Sequence, residues 1–512
     1  METRPTDLSP PKASLPLRTL LFFSLLAHLP AIWFARGYLF LDQQYQYIDP
    51  AWHLATGDTF YRTHEWTMGL RSWVYPGILA GVFQLSQALG IQDSQMQLVV
   101  ARLFQALLFL IPLSAAWLVL VRWRPHVAAR PALLAFGVFF LAILCGSQPN
   151  GPNFASCFSV AAVLFFYGPG RLWPLISGLC LGLAFCGRPQ DALLGPVLFL
   201  AGLWTRRPGA ALLFAMGTIP GILLQGFTDL YAWGHFLHSP FAYLKFNLFD
   251  GRNTGWGKEP LWFYPGIVAG MLVLVPPFVR LTLRQLREGS RHLPLCMVAA
   301  TAYILVHTIP AHKAARFVQP ALALIFLCVF LGFFHSREGN REQAIPKAQR
   351  RIWGLLHLVA FLLVSFWVAA QGPTQAGAAL GRLPDFQDRL LVVDGSRISV
   401  GGFFFLRRKT MEIYEAKRET WAAQSQKLLH APPDPAGGSQ AKRDSHSSLP
   451  LYVLACRKPL DLKKLEPSIA AKVVGSFHDP FNLKKRNRRW VYRLQLASKD
   501  GRGGLSPKHS AK

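Results

Sequence analysis

Apolar runs of roughly 17 to 22 residues recur along this chain, separated by short connections rich either in Lys and Arg or in aromatics and amides. No single aqueous core can bury so much apolar surface. Such runs have to cross a bilayer, and they cross it as helices because a helix satisfies its own backbone where water is absent. The pattern therefore predicts a polytopic α-helical membrane protein of about 11 spans, near 17–39, 98–121, 131–147, 154–168, 172–187, 190–204, 209–225, 261–280, 293–310, 314–334 and 352–371. The run at 74–89 is short and contains Gly77, Gly81 and Gln84, so it reads as a juxtamembrane or re-entrant helix. No small-residue cleavage site follows the first run, which is expected to be retained rather than removed as a signal peptide.

Charge orients the spans. Only 16% of residues are charged, against about 25% in soluble domains, yet Lys and Arg number 54 against 26 acids. The excess is scattered over segment ends rather than gathered on one soluble face. That argues against nucleic acid as a partner and for a positive-inside topology in contact with membrane lipids. Connections 122–130, 204–208, 280–292 and 336–351 are basic and belong inside. The first loop, 146–154, 186–191, 226–260 and 311–316 then fall outside, with the N-terminus inside and the C-terminus outside.

Past residue 371 the composition changes. Stretches 390–400, 451–456, 472–477 and 489–496 read as strands, 412–430 as a helix, and 431–448, rich in Pro, Gly and Ser, as a loop. The expected organisation is a transmembrane domain over 1–372, with outer loops at 39–97 and 226–260. A small outer-side α+β domain over 373–498 and a disordered tail over 499–512 follow.

Six of the seven cysteines lie in or beside apolar runs and read as small buried hydrophobes, with no CxxC pattern. P-loop, GxGxxG, HExxH, GxSxG and Asp-x-Asp signatures are all missing, so a metal-bound nucleotide-sugar donor is not expected. Neither a cofactor nor a metal is expected.

The unusual residues sit in the outer connections. Stretch 41–76 is dense in acids, aromatics and amides. Asp42 follows the first apolar run directly, where a carboxylate at a membrane edge is expensive unless paired or solvated. A lone Asp there is equally readable as a solvated helix end, but Asp49, seven residues on, would share its face in a helix, and Glu65 joins the same loop. Neighbouring carboxylates push one another's pKa values apart, which suits acid or base work. Glu65, Trp66, Arg71 and Tyr75 complete a polar and aromatic cluster. His312, Lys313 and Arg316 lie on the same side, against the charge trend, and offer a bidentate fork and a point charge for phosphate. Arg188 is a second outer-side arginine, with Asp191 placed to pair with it. The aromatics of 227–265 are a membrane-interface belt or, with the Asp, Asn and Lys among them, a sugar-binding surface.

In this order the pieces resemble glycosyltransferase family 22, membrane mannosyltransferases of the GT-C superfamily that build lipid-linked oligosaccharides and glycosylphosphatidylinositol anchors. The resemblance rests on Asp42-Gln43, Gln46, Asp49, Glu65-Trp66, Arg71-Ser72 and Tyr75-Pro76, and then on Arg188-Pro189-Gln190. Asp229, Trp233-Gly234, Ser239-Pro240, Phe246-Asn247, Trp256-Gly257, Pro260, Trp262 and Tyr264 follow, and His312-Lys313-Ala314-Ala315-Arg316-Phe317 closes it. Gln43 and Ala314 stand where the family carries Glu.

The resemblance implies an inverting transfer of a sugar, mannose above all, from a polyprenyl- or dolichyl-phosphate donor to a glycan or glycolipid acceptor. Asp42 would be the base. Gln46, Asp49, Glu65, Trp66, Arg71, Asp229, Asn247 and Trp262 would meet the acceptor and sugar, and Arg188, His312, Lys313 and Arg316 the donor phosphate. The site would face the periplasm from a bacterial inner membrane or the lumen from the endoplasmic reticulum. The lack of N-x-S/T sequons and of a retention signal points to the bacterial case. A transporter, or a flippase without transferase activity, is the alternative that Gln43 and Ala314 leave open.

Overall fold

Among the described residues four helices are long and apolar enough to cross a membrane: Leu17–Phe34, Ser94–Trp123, Pro208–Trp233 and Ala315–His335. Two bent pairs also qualify, Ala129–Val138 with Phe140–Ser147 at 50° and Leu283–His292 with Pro294–His307 at 118°. Gly151–Phe165, Leu172–Gly187 and Gly354–Phe366 are apolar but shorter. By length and composition this gives four to six spans, against the expected eleven. The computed structural model describes residues 15–496 except 35–36, 39, 206, 251–256, 275–278, 340–346, 367–370, 387–388, 397–399, 408–410, 431–449 and 478–487. The expected loop at 431–448 and tail at 499–512 lie outside the described residues.

The helix boundaries have local causes. The run expected to end at 225 continues to Trp233 and stops at Gly234, whose φ of 79° gives a left-handed C-cap that a glycine adopts without strain. The run 131–147 breaks at Phe139, which is extended between its two helices. The connection 280–292 is itself a helix, Val279–His292, and Pro294 opens the next one at a position where its missing N–H costs nothing. Segment 74–89 is a helix, Val74–Ala88, too short to count as a span.

Small residues let helices approach. Gly178 and Gly182 on Leu172–Gly187 face Gly217 and Gly221 on Pro208–Trp233, each pair four residues apart. A Cβ on Gly221 would lie 2.2 Å from the Gly182 carbonyl carbon, so only glycine fits this crossing.

The chain divides into two compact units, and the second takes 36–40 and 52–61 from the first loop as well as 368–512. Within that unit the Trp52 indole packs edge-on against Phe404 (5.3 Å between centroids), with the Arg407 guanidinium 4.1 Å over its ring. Composition did not indicate this division of the loop. The sheet of the second unit runs β2-β1-β3-β5-β4, formed by β1 (Arg389–Val393), β2 (Glu412–Ala416), β3 (Leu451–Cys456), β4 (Ile469–Phe477) and β5 (Arg489–Leu496). β1 is parallel to β2 and β3, while β5 is antiparallel to β3 and β4. The helix expected over 412–430 is corrected: Glu412–Ala416 is an edge strand paired only with Arg389–Val393 among the described residues, and the helix is Trp421–His430. Trp421 and Leu428 from that helix join Leu391, Val453 and Tyr492 in the core of the unit.

Candidate functional site

Asp42 immediately precedes a π-wound segment, Gln43–Ile48, that runs on into the helix Asp49–Thr56. The Asp49 N–H donates to the Gln44 carbonyl, five residues back, so this turn is wider than an α-turn. The winding removes the expected alignment of Asp42 with Asp49. Asp42 is partly exposed and reaches Arg316, whereas Asp49 is buried and accepts from Gln44 Nε2 at 2.8 Å.

Arg316 Nη2 donates to Asp42 Oδ2 at 2.6 Å, joining residues 274 positions apart. Arg316 lies in a single 3-10 turn, Ala315–Val318, and Arg188 fixes that turn from behind. Arg188 Nη1 donates to the carbonyls of Arg316 (3.3 Å) and Phe317 (3.0 Å), and its guanidinium lies 4.7 Å over the Phe317 ring. Its Nη2 is buried without a hydrogen-bond partner among the described residues. The expected pairing with Asp191 acts through space rather than as a direct ion pair. Asp191 accepts from Ser159 Oγ at 2.6 Å and from the Tyr303 hydroxyl at 2.5 Å.

Lys313 is 4% exposed, and its Nζ donates to the Glu259 carbonyl at 2.9 Å. No carboxylate lies within ion-pair reach of it among the described residues, so most of its donor capacity is unspent. His312 stands edge-on to Phe317 at 5.7 Å. Burial, and then the Arg316 charge, lower its pKa below the ordinary histidine value, so it is neutral at pH 7 and the cations here are the lysine and the arginines.

A second cluster adjoins the first. Glu65 Oε2 accepts from Gln46 Nε2 at 2.5 Å and from Arg71 Nε at 2.5 Å, and Arg71 also pairs with it through Nη2. Burial opposes the Arg71 charge, but Glu65, Tyr47 and Asp42 outweigh it and hold the pKa above the ordinary arginine value. Glu65 is therefore an anchor that holds Gln46 and Arg71 together.

The remaining expected residues are spread out. Asp229 is fully buried and accepts from the Ser239 N–H (2.8 Å) and hydroxyl, which ties the turn after Trp233 back onto its helix. Asn247 Nδ2 donates to the Tyr243 carbonyl at 2.9 Å. Trp66 is buried against Trp73 and Trp233, a packing role, while Trp262 is 70% exposed.

Two tyrosines went unnoticed in the sequence. Tyr47 and Tyr243 are held neutral chiefly by burial, and between them they feel Asp42, Glu65, Arg71, Arg188 and Arg316. The Tyr243 hydroxyl accepts from Gln190 Nε2. Tyr243 was hidden in a stretch whose aromatics read as an interface belt. Ser159 and Tyr303 carried a usable signal, being polar groups inside apolar spans.

GPI mannosyltransferase 3 of Drosophila melanogaster is 25% identical over 319 residues, 59% of this chain and 53% of that protein. Mannosyltransferase APTG1 of Arabidopsis thaliana is 24% identical over 357 residues, 63% of this chain and 62% of that protein. The chain thus spans little more than half the length of the curated relatives it matches. Among solved structures, ArnT from Cupriavidus metallidurans bound to undecaprenyl phosphate superposes with a TM-score of 0.57 at 13% identity, covering 94% of this chain and 98% of that one. That likeness shows a fold shared over nearly the whole of both chains. The sequence relationship extends over residues 19–388, through the first loop, Arg188 and the 312–317 turn alike, and on it the chain belongs to the Alg9-like mannosyltransferase family.

Proposed function

We propose that this protein is an integral-membrane inverting glycosyltransferase that moves mannose from a polyprenyl- or dolichyl-phosphate carrier to a hydroxyl of a glycan or glycolipid. The observation that carries the reading is the Asp42–Arg316 ion pair, which brings the first-loop carboxylate to the cationic 312–316 stretch. The family and the mannosyltransferase names of the relatives support the sugar, and the undecaprenyl phosphate bound to ArnT supports the carrier.

In this reading Asp42 Oδ2 takes the proton from the acceptor hydroxyl as its oxygen attacks the anomeric carbon. The bond from that carbon to the carrier phosphate breaks, and its electron pair leaves on a phosphate oxygen. Arg316, Lys313 and Arg188 Nη2 receive the growing charge, the task of an oxyanion site. The incoming phosphate competes with Asp42 for Arg316, so the carboxylate is released as a base when the donor is present. A carboxylate at one end and fixed cations at the other supply the chemistry, and no metal is called for. Gln46, Glu65 and Arg71 hold the loop and meet the sugar or acceptor.

The proposal includes eleven spans, with the site and the C-terminal domain on the outer side, periplasmic or luminal. A second reading, transport or flipping of a lipid-linked sugar, is motivated by Gln43 and Ala314, which stand where the family has Glu. Proteoliposomes given radiolabelled polyprenyl-phosphate mannose and glycolipid acceptors separate the two. Label transferred to acceptor supports the transferase. Label that crosses the bilayer still attached to its carrier, with no acceptor product, overturns it.

A further inference from the structure

Three histidines outside the proposed active site converge from three separate segments. His126 lies in the connection before the helix Ala129–Val138, His292 ends the helix Val279–His292, and His335 sits in the last turns of Gln319–Gly339. One ligand nitrogen from each lies within 4.8 Å of the others. The ring centroids are 4.4 Å (His126–His292), 4.8 Å (His126–His335) and 5.1 Å (His292–His335) apart, with the planes tilted by 74°, 56° and 63°. These are not stacked rings.

Two further observations suit a cation. His126 Nε2, His292 Nε2 and His335 Nδ1 are all buried with no hydrogen-bond partner among the described residues, so three imidazole nitrogens are unsatisfied in one place. Glu288 stands one turn before His292, its Oε1 3.8 Å from His335 Nε2 and 4.0 Å from His292 Nε2, and Arg291 holds its other oxygen at 3.0 Å. A carboxylate beside ligating imidazoles is the usual orienting partner of such a site, or its fourth ligand.

We propose that His126, His292 and His335 form a structural site for a borderline divalent transition metal, zinc above all, with Glu288 as orienting group or fourth ligand. Three imidazoles and a carboxylate select zinc, copper or nickel over magnesium or calcium. Bonds of about 2.0–2.1 Å to zinc require the nitrogens to draw together by about 1 Å, a movement that half-buried rings make by rotation. Coordination through His126 Nε2 moves that ring's proton to Nδ1 and gives up the 3.1 Å bond from the Ala128 N–H. The metal would tie the 122–130 connection to the ends of two helices. His335 lies 16 residues into its helix, about 24 Å along it from the 3-10 turn carrying Arg316, so this site is remote from the donor site and its failure would leave the transferase reading untouched.

The test uses the full-length protein in detergent, any polyhistidine tag removed, stripped with a chelator and titrated with zinc against a competing fluorescent chelator. We expect one equivalent bound with a submicromolar Kd, at least a hundredfold weakening in each of His126→Gln, His292→Gln and His335→Gln, and no change in His235→Gln, whose histidine is exposed elsewhere. Cobalt should give the intense visible bands of a four-coordinate site in the parent and lose them in the three variants. Should the variants misfold, zinc protection of these three histidines from diethylpyrocarbonate in the parent provides the reading. Binding only at tens of micromolar or weaker, equal binding in all variants, or equal modification with and without zinc overturns the proposal.

Discussion

Asp42→Asn separates two roles the same carboxylate could play, and the structure fixes how large each effect should be. As the partner of Arg316, Asp42 is 35% exposed and the arginine 23% exposed, with 2.6 Å between the charged atoms. Ion pairs this wet contribute about 0.2–1 kcal/mol, so losing this one should change stability or donor affinity by no more than about fivefold. As the base, Asp42 should contribute about 10²–10⁴ in turnover, or about 2.7–5.4 kcal/mol of barrier. The two ranges do not overlap. Asn keeps the shape and a hydrogen bond for Arg316 but cannot take a proton at neutral pH. The assay is single-turnover transfer by the variant in nanodiscs with a saturating lipid-phosphate sugar donor, beside thermal unfolding in the same preparation. The expected result is a loss of at least a hundredfold in kcat with KM within fivefold and near-parental unfolding. A kcat within fivefold of the parent refutes the base assignment. If Asp49→Asn or Glu65→Gln then abolishes turnover, the wrong carboxylate has been chosen.

The other expectations are narrower. Lys313→Ala should raise the donor KM by about ten- to a hundredfold while leaving insertion intact, since it removes one charge-assisted contact of about 1.5–3 kcal/mol; an unchanged KM returns Lys313 to headgroup anchoring. Gly221→Val should lower the unfolding temperature through overpacking worth about 1–3 kcal/mol, because its added carbons meet the backbone of Gly182; parental stability would mean that the two helices can separate freely. His312 has a folded pKa below its unfolded value, so its contribution is fully present above pH 6.5 and is lost as pH falls through the lowered folded value; His312→Gln should flatten that acid limb of the unfolding profile.

Which parts of this were legible in the sequence follows from the range of the forces involved. Apolar runs mark helices because burial in lipid is summed over many residues, and Leu172–Gly187 falls where its composition put it. The helix ends were less legible, since Gly234 and Phe139 act through backbone dihedrals that no hydropathy pattern records. At the site, Asp42 and Arg316 could be named singly from their places at membrane edges, but their contact spans most of the chain and is a product of packing. Asp49 shows the opposite failure. Its alignment with Asp42 assumed α-helical phase, and the π-turn at Gln43–Ile48 removed it. Arg188 was legible as a cation, whereas its duty of holding the carbonyls of 316 and 317 was not, because side-chain bonds to backbone leave no pattern in sequence.

The charges around Asp42 do not balance, and the imbalance predicts which state of the substrate the site prefers. Asp42 is neutralised by Arg316 and Glu65 by Arg71. Arg188 faces buried Asp191 through space, its hydrogen bonds going to backbone carbonyls. Lys313 is left, 4% exposed, with the Glu259 carbonyl as its hydrogen-bond partner. A buried cation without a carboxylate partner is costly to keep, so an anionic ligand is what would offset the cost. A carrier phosphodiester bears one negative charge. The phosphate monoester that departs gains most of a second near neutral pH, its second pKa being about 6. In the proposed reaction the surplus cation would therefore bind the leaving group more strongly as the sugar bond breaks, which is the kind of interaction that raises turnover rather than affinity alone. Carrier phosphate should accordingly bind more tightly than the sugar-charged donor, and Lys313→Ala should lose more product affinity than donor affinity. The measurement is the product inhibition constant beside the donor Kd, in parent and variant, above pH 7. Equal losses for donor and product would show that Lys313 binds uniformly, and a product weaker than the donor in the parent would refute the charge argument altogether.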